Sequence, residues 1–150
     1  MAEEITALTE QLIAEFHKEK LVLLHTIDSE TGAPTANAIS WVYAPDPGRI
    51  RFAVDKRSRL IANLEKNPSA TVTMIAAGTV HAIYAEAAPA AEVLEGVPFK
   101  LACYDLNIRV VRDAMFYGAR ISVDPEFEKT YDKRAADKLD GQVFEAMKKA

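Results

Sequence analysis

A short basic cluster that contains a serine is the most chemically informative feature of the sequence. It occupies four consecutive positions, Lys56, Arg57, Ser58 and Arg59. The cluster follows an apolar segment that ends at Val54 and precedes an amphipathic one. If a strand passes into a helix here, the free N–H groups of the helix start, a hydroxyl and guanidinium groups can converge on one anion. The pattern is typical of a phosphate-binding site.

The same residues also fit a purely structural role. In that interpretation the cluster is a solvated turn, and Asp55 or Ser58 only caps the following helix. Lysine and arginine near a helix start are unfavourable without a nearby anion, which favours the binding interpretation. The sequence leaves both interpretations open.

Other chemistries have weaker support. His17, His25 and His81 fall on separate segments, and the chain has no His-x-x-x-His or Cys-x-x-Cys pair, so we expect no metal site. The single cysteine, Cys103, lies in an apolar stretch, which favours a buried structural thiol over a nucleophile. The chain also lacks a glycine-rich nucleotide loop and a Gly-x-Ser-x-Gly motif, which argues against P-loop proteins and one large class of hydrolases.

Composition indicates one ordinary globular domain over residues 1–150. The chain is 49% hydrophobic, and its 18 basic and 22 acidic residues give a net charge of −4. We therefore expect no nucleic-acid partner and no anionic membrane surface as partner. The acidic N-terminus does not resemble a secretory signal, and no apolar run approaches the roughly 18 residues of a membrane span. A cytoplasmic location is expected.

Hydrophobic periodicity and turn residues predict an alternation of strands and helices. Strands are predicted over 21–27, 35–43, 49–54, 69–76, 79–87 and 116–123, and helices over 4–18, from 55 or 58 to 67, 98–113 and 131–150. Short turns link most of these strands, which favours an antiparallel sheet over a parallel one. The predicted fold is therefore mainly β with flanking helices (α+β), a six-stranded antiparallel sheet curled into a small barrel.

The predicted strand over 35–43 has one face made of small residues. Strict alternation places Ala36, Ala38 and Ser40 on this face, whereas Ile39 and Trp41 point to the other. Small side chains would let a flat ring approach the backbone. Close packing against another strand would explain the same pattern.

The basic cluster and its surroundings resemble the phosphate-binding segment of the FMN-binding split-barrel family, whose best-known branch is pyridoxamine 5′-phosphate oxidase. In that family an aromatic-led strand is followed by a Ser-Arg or Ser-Lys pair, a short helix and Asn-Pro. The matching residues here are Phe52, Ser58, Arg59, Asn67 and Pro68. The stretch 111–118 is similar to segments of small stress-related bacterial members.

The resemblance implies a six-stranded split barrel of the FMN-binding type. It implies FMN as cofactor, with its phosphate at Ser58 and Arg59 and its ring along residues 38–41. The candidate cofactor-binding residues are Ala38, Ile39, Ser40, Trp41, Val54, Asp55, Lys56, Arg57, Ser58 and Arg59. It further implies a homodimer with the cofactor at the subunit interface, and a flavin-dependent oxidoreductase that uses a small-molecule substrate or NAD(P)H.

Two departures separate the chain from the oxidase branch. Leu60 and Ala38 stand where that branch usually has basic residues, which assigns part of the phosphate binding to Lys56 or Arg57. The Arg-rich C-terminal substrate segment of the oxidase is also absent. We therefore expect that the chain is not a true pyridoxamine phosphate oxidase. A non-catalytic flavin-binding or stress-protective protein and a haem-binding relative are the alternatives.

Overall fold

The computed structural model describes residues 4–150, and its central element is one seven-stranded antiparallel sheet. The strands are β1 (Val22–His25), β2 (Asn37–Ile39), β3 (Val42–Asp46), β4 (Arg49–Asp55), β5 (Ser69–Ala76), β6 (Thr79–Ala91) and β7 (Leu101–Asp113). The helices are α1 (Glu10–Phe16), α2 (Arg59–Lys66) and α3 (Lys133–Lys149). The predicted antiparallel, mainly β architecture is confirmed, with seven strands in place of six.

The order of the strands explains why the sheet curls. It runs β2-β1-β5-β6-β7-β4-β3, so β2 and β3 are its two edges. Only Ser40 and Trp41 separate these edge strands along the chain, so the two edges must meet and the sheet forms a split barrel. The single strand predicted over 35–43 is therefore two strands, and the change of direction lies at residues 40 and 41.

Two apolar clusters lie on opposite sides of the sheet. The larger fills the barrel and includes Val72 and Met74 of β5, and Phe16 closes it from α1. The smaller lies between α3 and the outer surface of β4 and β7, where Cys103 packs near Met147. The second cluster holds α3 against the sheet beside the junction of β2 and β3.

The prediction of a helix over 98–113 is wrong, because this segment forms β7 between β4 and β6. Both faces of its first half are buried: Ala102 and Tyr104 face the barrel, whereas Leu101 and Cys103 face α3. Strands buried on both faces lose the alternation of apolar and polar residues that identifies a strand. The remaining apolar pattern imitated a helical one.

The prediction of a strand over 116–123 is also wrong. This segment is irregular, and Phe116 and Tyr117 are exposed. It is held by hydrogen bonds from Ala114 N–H to the Val80 carbonyl and from Ile121 N–H to the Gly78 carbonyl, both 2.7 Å. Residues 116–123 are not paired with any strand of the sheet in the described structure. Strand-forming residue types alone therefore do not produce a strand here.

The first helix is shorter than predicted, whereas the other two agree with prediction. Thr9 caps α1 by accepting the Leu12 N–H at 3.2 Å, and Ile5, before the cap, pairs with Val111 instead. Asn67 ends α2 as expected. Within residues 4–150, no helix is long and apolar enough to cross a lipid bilayer.

Candidate functional site

An open cleft of about 360 Å³ lies where the β2–β3 junction, the end of β4 and the start of α2 meet. Its lining residues are Asn37, Ala38, Ile39, Ser40, Trp41, Ala53, Val54, Asp55, Ser58 and Leu60. Seven of the ten candidate residues line this cleft, and three basic ones, Lys56, Arg57 and Arg59, do not. The fold thus brings residues 38–41, predicted to lie along the ring, together with Val54, Asp55 and Ser58 in one concave site.

The side of the cleft predicted to bind phosphate is a tight turn between β4 and α2. Asp55 begins it, accepting the Arg57 N–H at its side chain (2.8 Å) and the Ser58 N–H at its carbonyl (2.9 Å). Ser58 then caps α2, because its Oγ accepts the Leu60 N–H at 3.2 Å. The capping role considered from sequence is therefore present. A hydroxyl keeps a donor proton and a second lone pair, so capping leaves Ser58 able to bind a ligand.

The side of the cleft predicted to lie along the flat ring of a ligand is formed by β2 and the junction that follows it. Ala38 is exposed, with Leu23 of β1 as its cross-strand neighbour. Residues of both predicted faces, among them Asn37 and Ser40, line the cleft, because the chain changes direction after Ile39. The small side chain at position 38 leaves the backbone of β2 open to a ligand.

Trp41 is positioned from behind the cleft by α3. Its indole N–H donates to Asp140 Oδ1 at 2.8 Å, and its ring packs against the cluster beneath α3. Asp140 also forms an ion pair with Lys129 at 3.3 Å. The backbone carbonyl of Trp41 accepts the Ala53 N–H at 3.0 Å, which ties the junction to β4.

Each basic residue of the predicted cluster has an acidic partner. Arg57 pairs with Asp55 at 3.1 Å, Lys56 with Glu92 at 3.0 Å, and Arg59 with Asp28 at 3.0 Å. In this arrangement none of the three cationic side chains lines the cleft. The positive charge that the sequence places beside Ser58 is therefore balanced by carboxylates of this chain.

Hydrogen bonds lower the pKa of two of these carboxyl groups. The Arg57 side chain and its backbone N–H lower the pKa of Asp55. The backbone N–H groups of Thr31 and Glu30, with a further contribution from Arg59, lower the pKa of Asp28. Both carboxylates therefore stay charged to lower pH than an ordinary aspartate.

Sequence reasoning missed several residues of the site. Asn37, Ala53 and Leu60 line the cleft but were not among the candidates. Asp140 is 99 residues from the indole that it holds, and Asp28 is 31 residues from Arg59. No local sequence pattern links residues so far apart in the chain. Ala53 could have been identified by pairing the predicted strand over 49–54 with the strand that precedes it.

The cysteine and two of the histidines considered from sequence have contacts that are consistent with structural roles. Cys103 is buried, as predicted, and burial raises the pKa of its thiol to about 11. The Nε2 atom of His25 lies 2.8 Å from Thr73 Oγ1, and that of His81 lies 3.1 Å from a backbone carbonyl. No group of three or more His, Cys, Asp or Glu side chains is arranged to hold a metal ion in residues 4–150.

Comparison with known protein families shows to which family the chain belongs. A model of the pyridoxamine 5′-phosphate oxidase family matches residues 8–104. The chain belongs to this family. The matched span contains every residue that lines the cleft, whereas the end of β7, the irregular segment and α3 lie beyond it. No curated protein sequence matches the chain significantly.

Solved structures of family type share the fold at low sequence identity. A protein from Lactobacillus delbrueckii, assigned as a pyridoxamine 5′-phosphate oxidase, has a TM-score of 0.60 and 20% identity over 71% of this chain and 94% of its own. General stress protein 26 from Bacillus anthracis has a TM-score of 0.56 and 12% identity over 71% and 94%. A heme binding protein from Mycobacterium smegmatis has a TM-score of 0.54 and 16% identity over 75% and 55%.

Proposed function

We propose that this family member binds FMN in the cleft and acts as a flavin-dependent oxidoreductase other than a pyridoxamine phosphate oxidase. The observation that carries the proposal is the cleft itself. It joins the Ser58 turn, which suits a terminal phosphate, to the open backbone of residues 38–41, which suits a flat ring. Both parts fall inside the family match.

The residues of the cleft fit FMN in size and in chemistry. A volume of about 360 Å³ lies within the usual range for small-ligand sites, roughly 300–1,000 Å³. Ser58 and the start of α2 would bind the phosphate, with Arg59 as its cationic partner. Ala38 would leave room for the ring, and Trp41, fixed by Asp140, would form part of the ring-binding wall. When bound, the flavin supplies the hydride or electron transfer.

The proposal includes a homodimer with the cofactor at the interface. A row of neighbouring cross-strand residues runs from Ala38 in the cleft through Leu23 and Thr73 to Ala82 on the outer face of the sheet. Leu23 and Thr73 are partly exposed, and Tyr84 beside them is exposed. A second copy packed on this outer face would also cover the open side of the cleft. Light scattering should give twice the monomer mass, and a species of 16.5 kDa alone would contradict the shared site.

The C-terminal region argues for a reaction other than oxidation of pyridoxamine phosphate. The last residues form α3, which packs on the sheet and receives hydrogen bonds from Arg51 at the Met147 and Ala150 carbonyls. They do not form the Arg-rich substrate segment of the oxidase branch. The electron donor and acceptor are proposed to be NAD(P)H and a small molecule, and turnover with both distinguishes an enzyme from a non-catalytic flavin carrier or stress protein.

The decisive experiment compares FMN with riboflavin. The purified protein should bind FMN, identified by its absorption and by the mass of the extracted ligand. Loss of both Ser58 and Arg59, in the double variant to alanine, removes charge-assisted hydrogen bonds of about 1.5–3 kcal/mol, or roughly 10- to 150-fold in FMN affinity. Riboflavin affinity should be unchanged. Arg134→Ala is the control, since this exposed arginine lies on α3.

Other outcomes of the same experiment would reject parts of the proposal. If the FMN-to-riboflavin ratio is unchanged in the double variant, the phosphate does not bind at residues 58 and 59. If Ser58 only caps α2, its removal costs about 1 kcal/mol of apoprotein stability and does not alter that ratio. Recovery of no flavin after incubation with FMN would reject flavin binding.

Haem binding is the second candidate function. The similarity to the mycobacterial heme binding protein favours it, and His25 lines a separate cleft with Tyr84 and Arg109 that could admit a planar ligand. No histidine lines the cleft at Ser58 among the described residues. A Soret band after incubation with haemin that is lost in His25→Ala would support this function over the first.

A further inference from the structure

The guanidinium of Arg59 is held by a carboxylate from a distant turn. Arg59 Nη2 donates to Asp28 Oδ2 at 3.0 Å, and Asp28 belongs to the turn between β1 and β2. The Arg59 side chain is 73% exposed, whereas that of Asp28 is only 14% exposed. Arg59 is the first residue of α2, beside Ser58, but its side chain does not line the cleft. The ion pair therefore determines where the arginine lies.

Asp28 keeps its position without help from Arg59. Its Oδ1 accepts the backbone N–H groups of Glu30 at 2.8 Å and Thr31 at 2.9 Å. Its own N–H donates to the Ala33 carbonyl at 2.8 Å. The carboxylate is thus a fixed group, and the flexible partner of the pair is the arginine.

The turn and α2 are also joined by contacts that do not involve this pair. Asn63 accepts the Ser29 N–H at 2.9 Å and donates to Thr26 Oγ1 at 3.0 Å. Lys66 Nζ donates to the Ser29 carbonyl at 2.7 Å. Loss of the charge at position 28 should therefore leave the turn and the helix in place.

We propose that Asp28 is a competing counter-ion that lowers the affinity of the cleft for phosphate by holding Arg59. The inference rests on the proposed function, because it assumes an anionic ligand beside Ser58. A guanidinium that binds this ligand must give up part or all of its bond to Asp28. Asp28 thereby sets how strongly the site distinguishes FMN from riboflavin.

Asp28→Asn is a nearly isosteric test of this role. The asparagine side-chain oxygen can still accept the two N–H groups of the turn, but the charge that holds Arg59 is gone. Glu30→Gln is the matched control, because it removes one exposed negative charge from the same turn without touching Arg59. Asp28→Asn combined with Arg59→Ala shows whether the effect acts through the arginine.

Asp28→Asn should bind FMN about two- to five-fold more tightly than the unchanged protein, the size expected for an exposed ion pair. Riboflavin affinity should stay the same, and high salt should reduce the gain. Glu30→Gln should leave the FMN-to-riboflavin ratio unaltered, and the gain should vanish when Arg59 is also removed. Unchanged or weaker FMN binding in Asp28→Asn would overturn the proposal while leaving FMN binding itself intact.

A second probe separates this inference from the proposed function. Titration of the flavin-free protein with inorganic phosphate, followed by NMR at the backbone amides of residues 58–60, should show tighter binding in Asp28→Asn. This result would support the role of Asp28 even if no flavin binds. Equal phosphate affinity in the two proteins would overturn the role of Asp28, whether or not FMN binds.

Discussion

Replacement of Arg51 by methionine should destabilise the protein by about 3 kcal/mol. Arg51 is a buried residue of β4, and its guanidinium makes two hydrogen bonds to Asp105, at 2.6 and 3.0 Å. It also donates to the Met147 and Ala150 carbonyls at the end of α3, each at 2.9 Å. The two bonds to these carbonyls fasten the last helix to the sheet, and the two bonds to Asp105 of β7 hold the guanidinium in place.

The expected size follows from the burial of this pair. Removal of one partner of a buried ion pair costs about 3–5 kcal/mol when the other charge is left without compensation. Asp105 keeps a second partner, the half-exposed Arg49, at 3.1 Å. Because Asp105 keeps this partner, and because the side chains of Arg51 and Asp105 retain 9% and 13% exposure, the lower end of that range applies. For a domain of this size, about 3 kcal/mol corresponds to a fall of roughly 6–12 °C in melting temperature.

Arg49 provides the matched control for this measurement. It also pairs with Asp105, at 3.1 Å, but its side chain is 38% exposed and has Asp46 as a second partner. Arg49→Met should therefore cost less than about 1 kcal/mol. Urea denaturation of both variants gives the comparison, and hydrogen exchange over α3 should accelerate only in Arg51→Met. If both variants are destabilised equally, the assignment of Arg51 as the anchor of α3 is wrong.

A double-mutant cycle tests the same reasoning from the other side. Arg51→Met with Asp105→Leu leaves neither charge unpaired, so the double variant should lose at least 1 kcal/mol less than the sum of the single losses. Additive losses would show that the pair contributes through packing alone.

Three further predictions concern the cleft and the ends of the sheet. Asp140→Ala should remove the hydrogen bond of the Trp41 indole and lower the stability of the protein by about 1 kcal/mol. The fluorescence of this single tryptophan should shift to longer wavelength, and the affinities for FMN and riboflavin should fall equally. An unshifted spectrum would contradict the hydrogen-bonded position of the indole. The pKa of Asp113 is lowered by the Met115 N–H and the Thr79 hydroxyl, so its stabilising effect is present above its ordinary pKa of 3.8 and is lost as the pH falls through the lowered value. Asp113→Asn should therefore reduce the loss of stability in acid, measured as melting temperature against pH. Pyridoxamine phosphate with the flavin-loaded protein should yield little or no hydrogen peroxide. Robust formation of hydrogen peroxide would show that the protein is a pyridoxamine phosphate oxidase after all.

The parts of the fold that could be predicted are those determined by neighbouring residues. Ser58 caps α2 and Asn67 ends it, and both signals lie within a few residues of the helix that they bound. The Ala77-Gly78 turn joins β5 and β6 as predicted. These features need no knowledge of the rest of the chain, because their hydrogen bonds are local.

The wrong predictions arose where distant partners decide the conformation. Residues 101–113 are extended because β6 pairs along most of their length and β4 pairs with residues 101–107 on the other side. Residues 116–123 have similar strand-forming residues but lack a comparable pair of neighbours and remain irregular. Intrinsic preference was a weak guide in both segments, since sheet pairing outweighs it.

The charges around the cleft also depend on distant residues, and this limits what the sequence can predict about ligand binding. Composition and spacing correctly indicate basic side chains beside Ser58, but the sequence does not reveal that Asp28 and Glu92, 31 and 36 residues away, neutralise two of them. Under the proposed function, phosphate binding at this site is an exchange of partners rather than an attraction to free charge. Its strength depends on the difference between two ion pairs of Arg59, one with Asp28 and one with the ligand. The number of basic residues in such a cluster is thus a poor measure of its affinity for an anion.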